Sequence, residues 1–144
     1  GEARLAAGDA TAAIAECTRA IELDASCADA WSVRGAARSA RGDHRPALAD
    51  ADRAVELQPS VAAFFERRAA IRLALRDAAG ARADLDRALE LDPDAAKARL
   101  ARGRLRADGG DRAGAREDLE RAVSLARDTA TRDAARSALA RFGR

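Results

Sequence analysis

Apolar and polar positions follow a helical period along this chain, and the helical pattern itself returns every 34 residues. Small or apolar residues stand in columns: Ala13, Ala47, Ala81 and Ala115, then Ala20, Ala54, Ala88 and Ala122, then Leu23, Leu57, Leu91 and Leu125. In register with them are Gly8-Asp9, Gly42-Asp43, Arg76-Asp77 and Gly110-Asp111, which divide each period into two helical stretches such as Ala28 to Arg41 and His44 to Leu57. Each period is therefore predicted to be a helical hairpin. Gly42 supplies the positive φ that ends a helix, and Asp43 is expected to cap the next one with its carboxylate. Pro46 falls in the first turn of that helix, where a missing N–H carries no expected penalty. Pro59 and Pro93 stop the second helices at Leu57 and Leu91, whereas Ala25 and Arg127 hold the equivalent places in the outer repeats and mark them less firmly.

A hairpin of this kind buries its apolar face only against its neighbours, so the pattern predicts one all-α array. It divides into a partial repeat at 1–27, full repeats at 28–61, 62–95 and 96–129, and a final helix at 130–144. That helix keeps the register, with Arg136 and Leu139 each 34 residues after Arg102 and Leu105, and it reads as a cap whose Arg132, Asp133, Arg136 and Arg141 form a wet face. The sequence starts partway through a repeat and has no Met, so it reads as a piece of a longer bacterial-type protein.

Composition narrows the function classes. Hydrophobic residues make up 48% of the chain, but much of that is Ala and only Trp31, Phe64, Phe65 and Phe142 are aromatic, so the helices must approach closely. Lys and Arg number 26 against 24 Asp and Glu, and a net charge of +2 sets no strong electrostatic preference. Lys97 is the sole Lys, Gln58 the sole Gln, and there is no Asn, so the wealth of Arg reads as compositional skew and does not point to nucleic acid. No apolar run approaches the roughly 20 residues of a membrane span, so no membrane partner is expected.

Cys17 and Cys27 have the spacing of neither a zinc motif nor a redox pair. Cys17 reads as a small buried apolar residue, and Cys27 as a free thiol that favours a reducing, cytoplasmic setting. His44 is the only His, Gly109-Gly110 lacks the Lys of a phosphate loop, and Asp92-Pro93-Asp94 lacks calcium-loop spacing. No catalytic residue, metal or cofactor is expected.

The second unit reads Trp31, Arg34, Gly35, Arg38, Ala47, Ala51, Ala54, Pro59. It resembles the tetratricopeptide (TPR) family, whose 34-residue pattern is W-x2-L-G-x2-Y, then A-x3-F, then A, then P. The resemblance extends along the whole chain and is carried by Gly35, Ala69 and Gly103 at the close helix approach. It departs where Arg replaces Leu and Tyr, and where Arg99 replaces an aromatic. The resemblance implies a right-handed superhelical solenoid of antiparallel helix pairs, whose first helices line a concave side that binds an extended peptide or a partner helix.

The implied groove positions include Ser32 and Ala36, then Glu66, Arg67 and Ala70, then Lys97, Leu100 and Arg104, a mixed and moderately basic strip. Some family members grip the acidic tails of chaperones with Lys, Arg and Asn, and the lack of Asn argues against that ligand here. The implied function is a non-catalytic protein-interaction module. Two alternatives stand beside it: a structural scaffold that self-associates through the truncated N-terminal repeat, and a regulatory arm of a multidomain enzyme.

Two charge columns also keep the period. Arg34, Arg68, Arg102 and Arg136 lie on the first helices, with Arg4, Arg38, Arg72 and Arg106 in a second column, and Glu16, Asp50, Asp84 and Asp118 lie on the second helices. A spacing of 18 residues matches every acid to an Arg, from Glu16 with Arg34 to Asp118 with Arg136, and predicts an ion-pair ladder that aligns neighbouring repeats. The other register, Arg34 with Asp50, leaves Glu16 and Arg136 single.

Overall fold

The computed structural model describes residues 2–142, with side chains from residue 8 onward; Gly1 and the side chain of Arg4 lie outside the described residues. The described residues form eight helices and no strand: α1 (Glu2–Leu23), α2 (Ala28–Ala40), α3 (His44–Leu57), α4 (Ala62–Ala74), α5 (Ala78–Leu91), α6 (Ala96–Asp108), α7 (Arg112–Leu125) and α8 (Thr129–Phe142). No described helix is long and apolar enough to cross a membrane.

The chain divides into two compact units, one ending at Ala81 and the other beginning at Arg82, within α5. In the first, α1 packs on α2, α2 on α3 and α3 on α4, and α2 also meets α4. In the second, α6 packs on α7, α7 on α8, and α6 meets α8. Ala47, Ala51 and Ile71 form a core in the first unit, flanked by Leu48 and Leu75. Leu100, Leu119, Ala122 and Ala135 form one in the second, flanked by Leu139 and Phe142.

Small residues set the helix separation within each hairpin. A Cβ added to Gly35 would lie 3.1 Å from the carbonyl oxygen of Ala47, and one added to Gly103 would lie 2.9 Å from the Leu119 side chain. Ala47, Ala54, Ala115 and Ala122, the column residues facing these approaches, are fully buried. Because Ala offers little area, the larger apolar side chains contribute most of the burial, about 1.5–3 kcal/mol for each one fully buried.

Three hairpin turns share one geometry. The N–H groups of Asp43, Asp77 and Asp111 each donate to a carbonyl five residues back, at 2.8 Å. Gly42 (φ 95°) and Gly110 (φ 88°) take the left-handed conformation this requires, and Arg76 (φ 62°) takes it without being Gly, at a cost of about 1–2 kcal/mol. The first Gly-Asp pair behaves differently. α1 runs unbroken through Gly8 and Asp9; a Gly in a helix interior costs only about 1 kcal/mol.

The caps correct a second expectation. The carboxylates of Asp77 and Asp111 accept from the backbone N–H of Gly80 and Gly114, each at 2.9 Å. Asp43 makes no such bond and instead pairs with Arg41 at 2.6 Å. Pro46 stands where Gly80 and Gly114 stand, three residues past the Asp, so the missing N–H is the very donor the cap requires. At the start of α8, Asp128 accepts from the Thr131 N–H at 2.7 Å, and that bond holds its carboxyl below the usual range.

Candidate interaction surface

The charge columns are brought together in the second of the two registers. Arg34 grips Asp50 with two parallel bonds, Nη2 to Oδ1 at 2.8 Å and Nε to Oδ2 at 3.0 Å. Arg102 grips Asp118 in the same way, with both bonds at 2.8 Å. A second Arg reaches each acid, Arg38 to Asp50 at 2.9 Å and Arg106 to Asp118 at 3.0 Å, and Arg99 adds a third contact to Asp118 at 3.4 Å. Hydrogen bonding to Asp118 raises the pKa of Arg102 further above its ordinary value despite the opposing effect of burial. Asp84 is buried like Asp50 and Asp118.

Glu16 and Arg136, by contrast, are exposed and join no ion pair among the described residues, so the 18-residue pairing is replaced by one of 16 residues within a hairpin. The reason is helical phase. An acid facing its own first helix points away from the next repeat, and the residue two positions on, about 200° further round, points toward it. That second column carries the link between repeats: Arg34 donates to Thr18 at 3.3 Å, Arg68 pairs with Asp52 at 3.2 Å and Arg102 with Asp86 at 3.1 Å. Thr18, Asp52 and Asp86 had no place in the sequence-based ladder, although their own spacing of 34 was there to be read.

The groove positions separate into two sets. Ala36, Arg67, Ala70, Lys97 and Arg104 are exposed on the first helices, together with Val33 and Leu73. Ser32 and Leu100 are buried, at 2% and 8% exposure, and so do not line a groove. Their column turns toward the following first helix within each unit. Ser32 accepts a bond from Arg67 of α4 at 2.8 Å, and Leu100 packs in the core with Ala135 of α8. Glu66, in the same column, is half-buried.

In the second unit Arg104 borders an open cavity of about 650 Å³ whose wall also includes Arg112, Arg141, Ala138 and Phe142. The Arg112 guanidinium lies 5.5 Å from the Phe142 ring centre and donates to the Phe142 carbonyl at 3.2 Å. A cationic rim beside an aromatic face suits a carboxylate with an apolar neighbour. Arg112, Arg141 and Phe142 were outside the sequence-based groove, because they come from a second helix and from the cap. The two thiols are unpaired and half-buried, and burial pushes the Cys17 thiol up.

No family model matches the chain, and no curated protein matches it significantly. Solved structures do. The crystal structure of MamA matches with a TM-score of 0.75 at 18% identity, over 94% of this chain and 87% of that one. The TPR domain of Arabidopsis OM64 matches with a TM-score of 0.74 at 24% identity, over 81% of this chain and 93% of that one.

The chain folds as a tetratricopeptide-repeat domain.

Another neighbour of this TPR domain is the first TPR of Spaghetti (RPAP3) bound to the HSP90 peptide SRMEEVD, with a TM-score of 0.71 at 20% identity over 81% of this chain and 94% of that one. The departures from the family pattern have a structural account. Arg34 and Arg38, in the places of Leu and Tyr, are held by Asp50, so a buried charge cluster replaces apolar contacts at the hairpin centre. Arg99 takes over the bond of the aromatic it replaces. Trp31 donates through Nε1 to the Ala25 carbonyl at 2.9 Å, and Arg99 donates through Nε to the equivalent Pro93 carbonyl at 3.1 Å.

Proposed function

We propose that this TPR domain is a non-catalytic adaptor, and that the exposed strip of its first helices binds an extended peptide or partner helix carrying acidic and apolar residues. One observation supports this most directly: in each unit, cations and apolar groups share the free face. Arg67 is exposed on α4 with Ala70 and Leu73, as Val33 and Ala36 are on α2, and Arg104 shares a cavity wall with Arg112, Arg141 and Phe142. Two RPAP3 domains of the same fold, bound to the acidic peptide SRMEEVD, lend the reading further weight. The small side chains Ala36 and Ala70 leave room for a ligand backbone, and the guanidinium donors that remain beyond the bonds of Arg67 to Ser32 and Arg112 to Phe142 select carboxylates over neutral groups.

Selection from a display library of random peptides against the purified domain tests this. The wild type is expected to enrich acidic peptides with an apolar residue next to the acid. Arg104→Glu and Arg67→Glu should each lose part of that enrichment, because a reversed charge repels an acidic ligand in its own unit. Recovery of one peptide set by all three proteins would remove the first-helix strip from the mechanism.

A further inference from the structure

One more charge column keeps the period of 34: Arg19, Arg53, Arg87 and Arg121, all exposed, on α1, α3, α5 and α7. Three residues after them stand Glu22, Glu56, Glu90 and, on α7 alone, Ser124. Arg53 pairs with Glu56 at 3.4 Å and Arg87 with Glu90 at 2.9 Å. On α7 a neutral hydroxyl replaces the acid, and Arg121 joins no ion pair among the described residues. A second column breaks in the same hairpin, where Arg99 stands in the place of Trp31 and Phe65. The two departures meet, because Arg99, Arg121 and Ser124 line one shallow cavity of about 360 Å³ together with Glu117 and Glu120.

We propose that Ser124 is a phosphorylation site for a protein kinase that reads an arginine three residues before its serine, and that the phosphate takes the seat of the missing glutamate, against Arg121 and Arg99. Among the six serines and four threonines of the chain, Ser124 is the only one with a basic residue at that distance. It is exposed and stands one residue before the end of α7, which the chain leaves in an extended conformation at Ala126. The last carbonyls of a helix lack helical partners, and opening this turn uncovers only Ala122 and the half-buried Leu125, a small apolar area. In the transfer, the Ser124 Oγ attacks the γ-phosphorus of a nucleoside triphosphate. The new O–P bond forms as the bond to the nucleoside diphosphate breaks, and the hydroxyl proton passes to the base of the kinase. The product carries a charge of about −1.5 to −2 and three acceptor oxygens, enough for Arg121 and for one further donor. Arg99 supplies that donor: its Nε bonds the Pro93 carbonyl and its Nη1 bonds Asp118, which leaves Nη2 to the cavity. Glu120, one turn before Ser124, and the negative end of α7 both oppose the phosphate, so the seat depends on the two arginines together. The site is on a second helix, apart from the first-helix strip, and does not rest on peptide binding.

The test incubates the whole folded chain with magnesium ATP and the catalytic subunit of an arginine-directed serine kinase, beside a synthetic peptide of residues 117–128. Mass spectrometry should find one phosphate, on Ser124, in both. Ser124→Ala should take up none, and Arg121→Gln should lose most of the modification, since the kinase reads that arginine. Phosphorus NMR then examines the seat. The second ionisation of the phosphate should occur about half a pH unit lower in the folded chain than in the peptide, because the arginines favour the dianion. Arg99→Gln should return part of that shift while leaving the modification itself intact. Glu120→Gln, an exposed change that does not touch the Asp118 cluster, should enlarge the shift and keeps the test open if Arg99→Gln disturbs folding. A folded chain that stays unmodified, whether or not the peptide reacts, would overturn the site, and so would phosphate on other residues. A phosphate that ionises alike in chain and peptide, or that ignores both variants, would overturn its seat against the arginines.

Discussion

The hairpins α2–α3 and α6–α7 are built on one plan, and the ends of their second helices differ at one position. Both seat a first-helix Gly against the second helix, both bury an Asp beneath two column arginines, and both turn through a left-handed Gly. At the third residue past the turn Asp, however, one has Pro46 and the other Gly114. That exchange removes a backbone donor and sends the Asp43 carboxylate out to Arg41, while Asp111 stays on its helix. The difference teaches that repeat columns fix the packing of a hairpin but not its ends, where one neighbour decides what a conserved-looking Asp does.

The largest effect is expected where the hairpins agree. Replacing Asp118 by Ala leaves Arg102 and Arg106 without their buried partner and should cost about 3–5 kcal/mol in urea unfolding, as is usual when one side of a buried pair is removed. Asp50→Ala should fall in the same range. A markedly smaller loss at Asp50 would mean that the third arginine, Arg99, makes the second hairpin's cluster different in kind.

The caps should divide the hairpins. Asp111→Ala is expected to cost about 1 kcal/mol for a lost N-cap, and Asp43→Ala less than about 0.5 kcal/mol, since only an exposed ion pair is lost. Restoring the donor with Pro46→Ala should raise the cost of Asp43→Ala to that of Asp111→Ala, about 1 kcal/mol. Equal costs in the parent background would show that Pro46 is not the cause.

The smallest effect concerns the third turn, where Arg76 occupies the left-handed position that Gly42 and Gly110 hold elsewhere. Arg76→Gly relieves that strain and also loosens the unfolded chain, so a net gain of about 0.5–1 kcal/mol in thermal unfolding is expected. A net loss would mean that the Arg76 side chain contributes more than its backbone costs.

The fold was largely legible in the sequence because hairpin packing depends on small residues at fixed intervals, and Gly35, Gly103 and the Ala columns state those intervals directly. The turns at Gly42 and Gly110 were legible for a similar reason, since only a few residue types accept a left-handed backbone. The pairing of the charges was not. Periodicity gives the position of a column along the helix, but registers of 16 and 18 residues are equally periodic, and only the angular phase of each acid separates them. Of the proposed groove positions, only the exposure can be compared. Ala36, Arg67, Ala70, Lys97 and Arg104 are exposed as expected, while Ser32 and Leu100 are covered by the neighbouring first helix, a tertiary effect that no single-helix pattern contains. The cavity residues Arg112 and Phe142 escaped because they converge from helices of different repeats.

The bonds that Arg102 makes 16 residues forward to Asp118 and 16 residues back to Asp86 bear on how such a chain grows and shrinks over generations. A segment of one full period carries its own arginine and both of the acid positions that arginine uses, so a gene can duplicate or lose that segment and leave no internal carboxylate orphaned. Losing a single residue inside a helix has the opposite outcome, because it turns every later side chain on that helix by about 100° and points the acid away from its fork. Change in length is therefore tolerated in whole periods or in the connecting turns, and the charge column acts as a proofreader of repeat length.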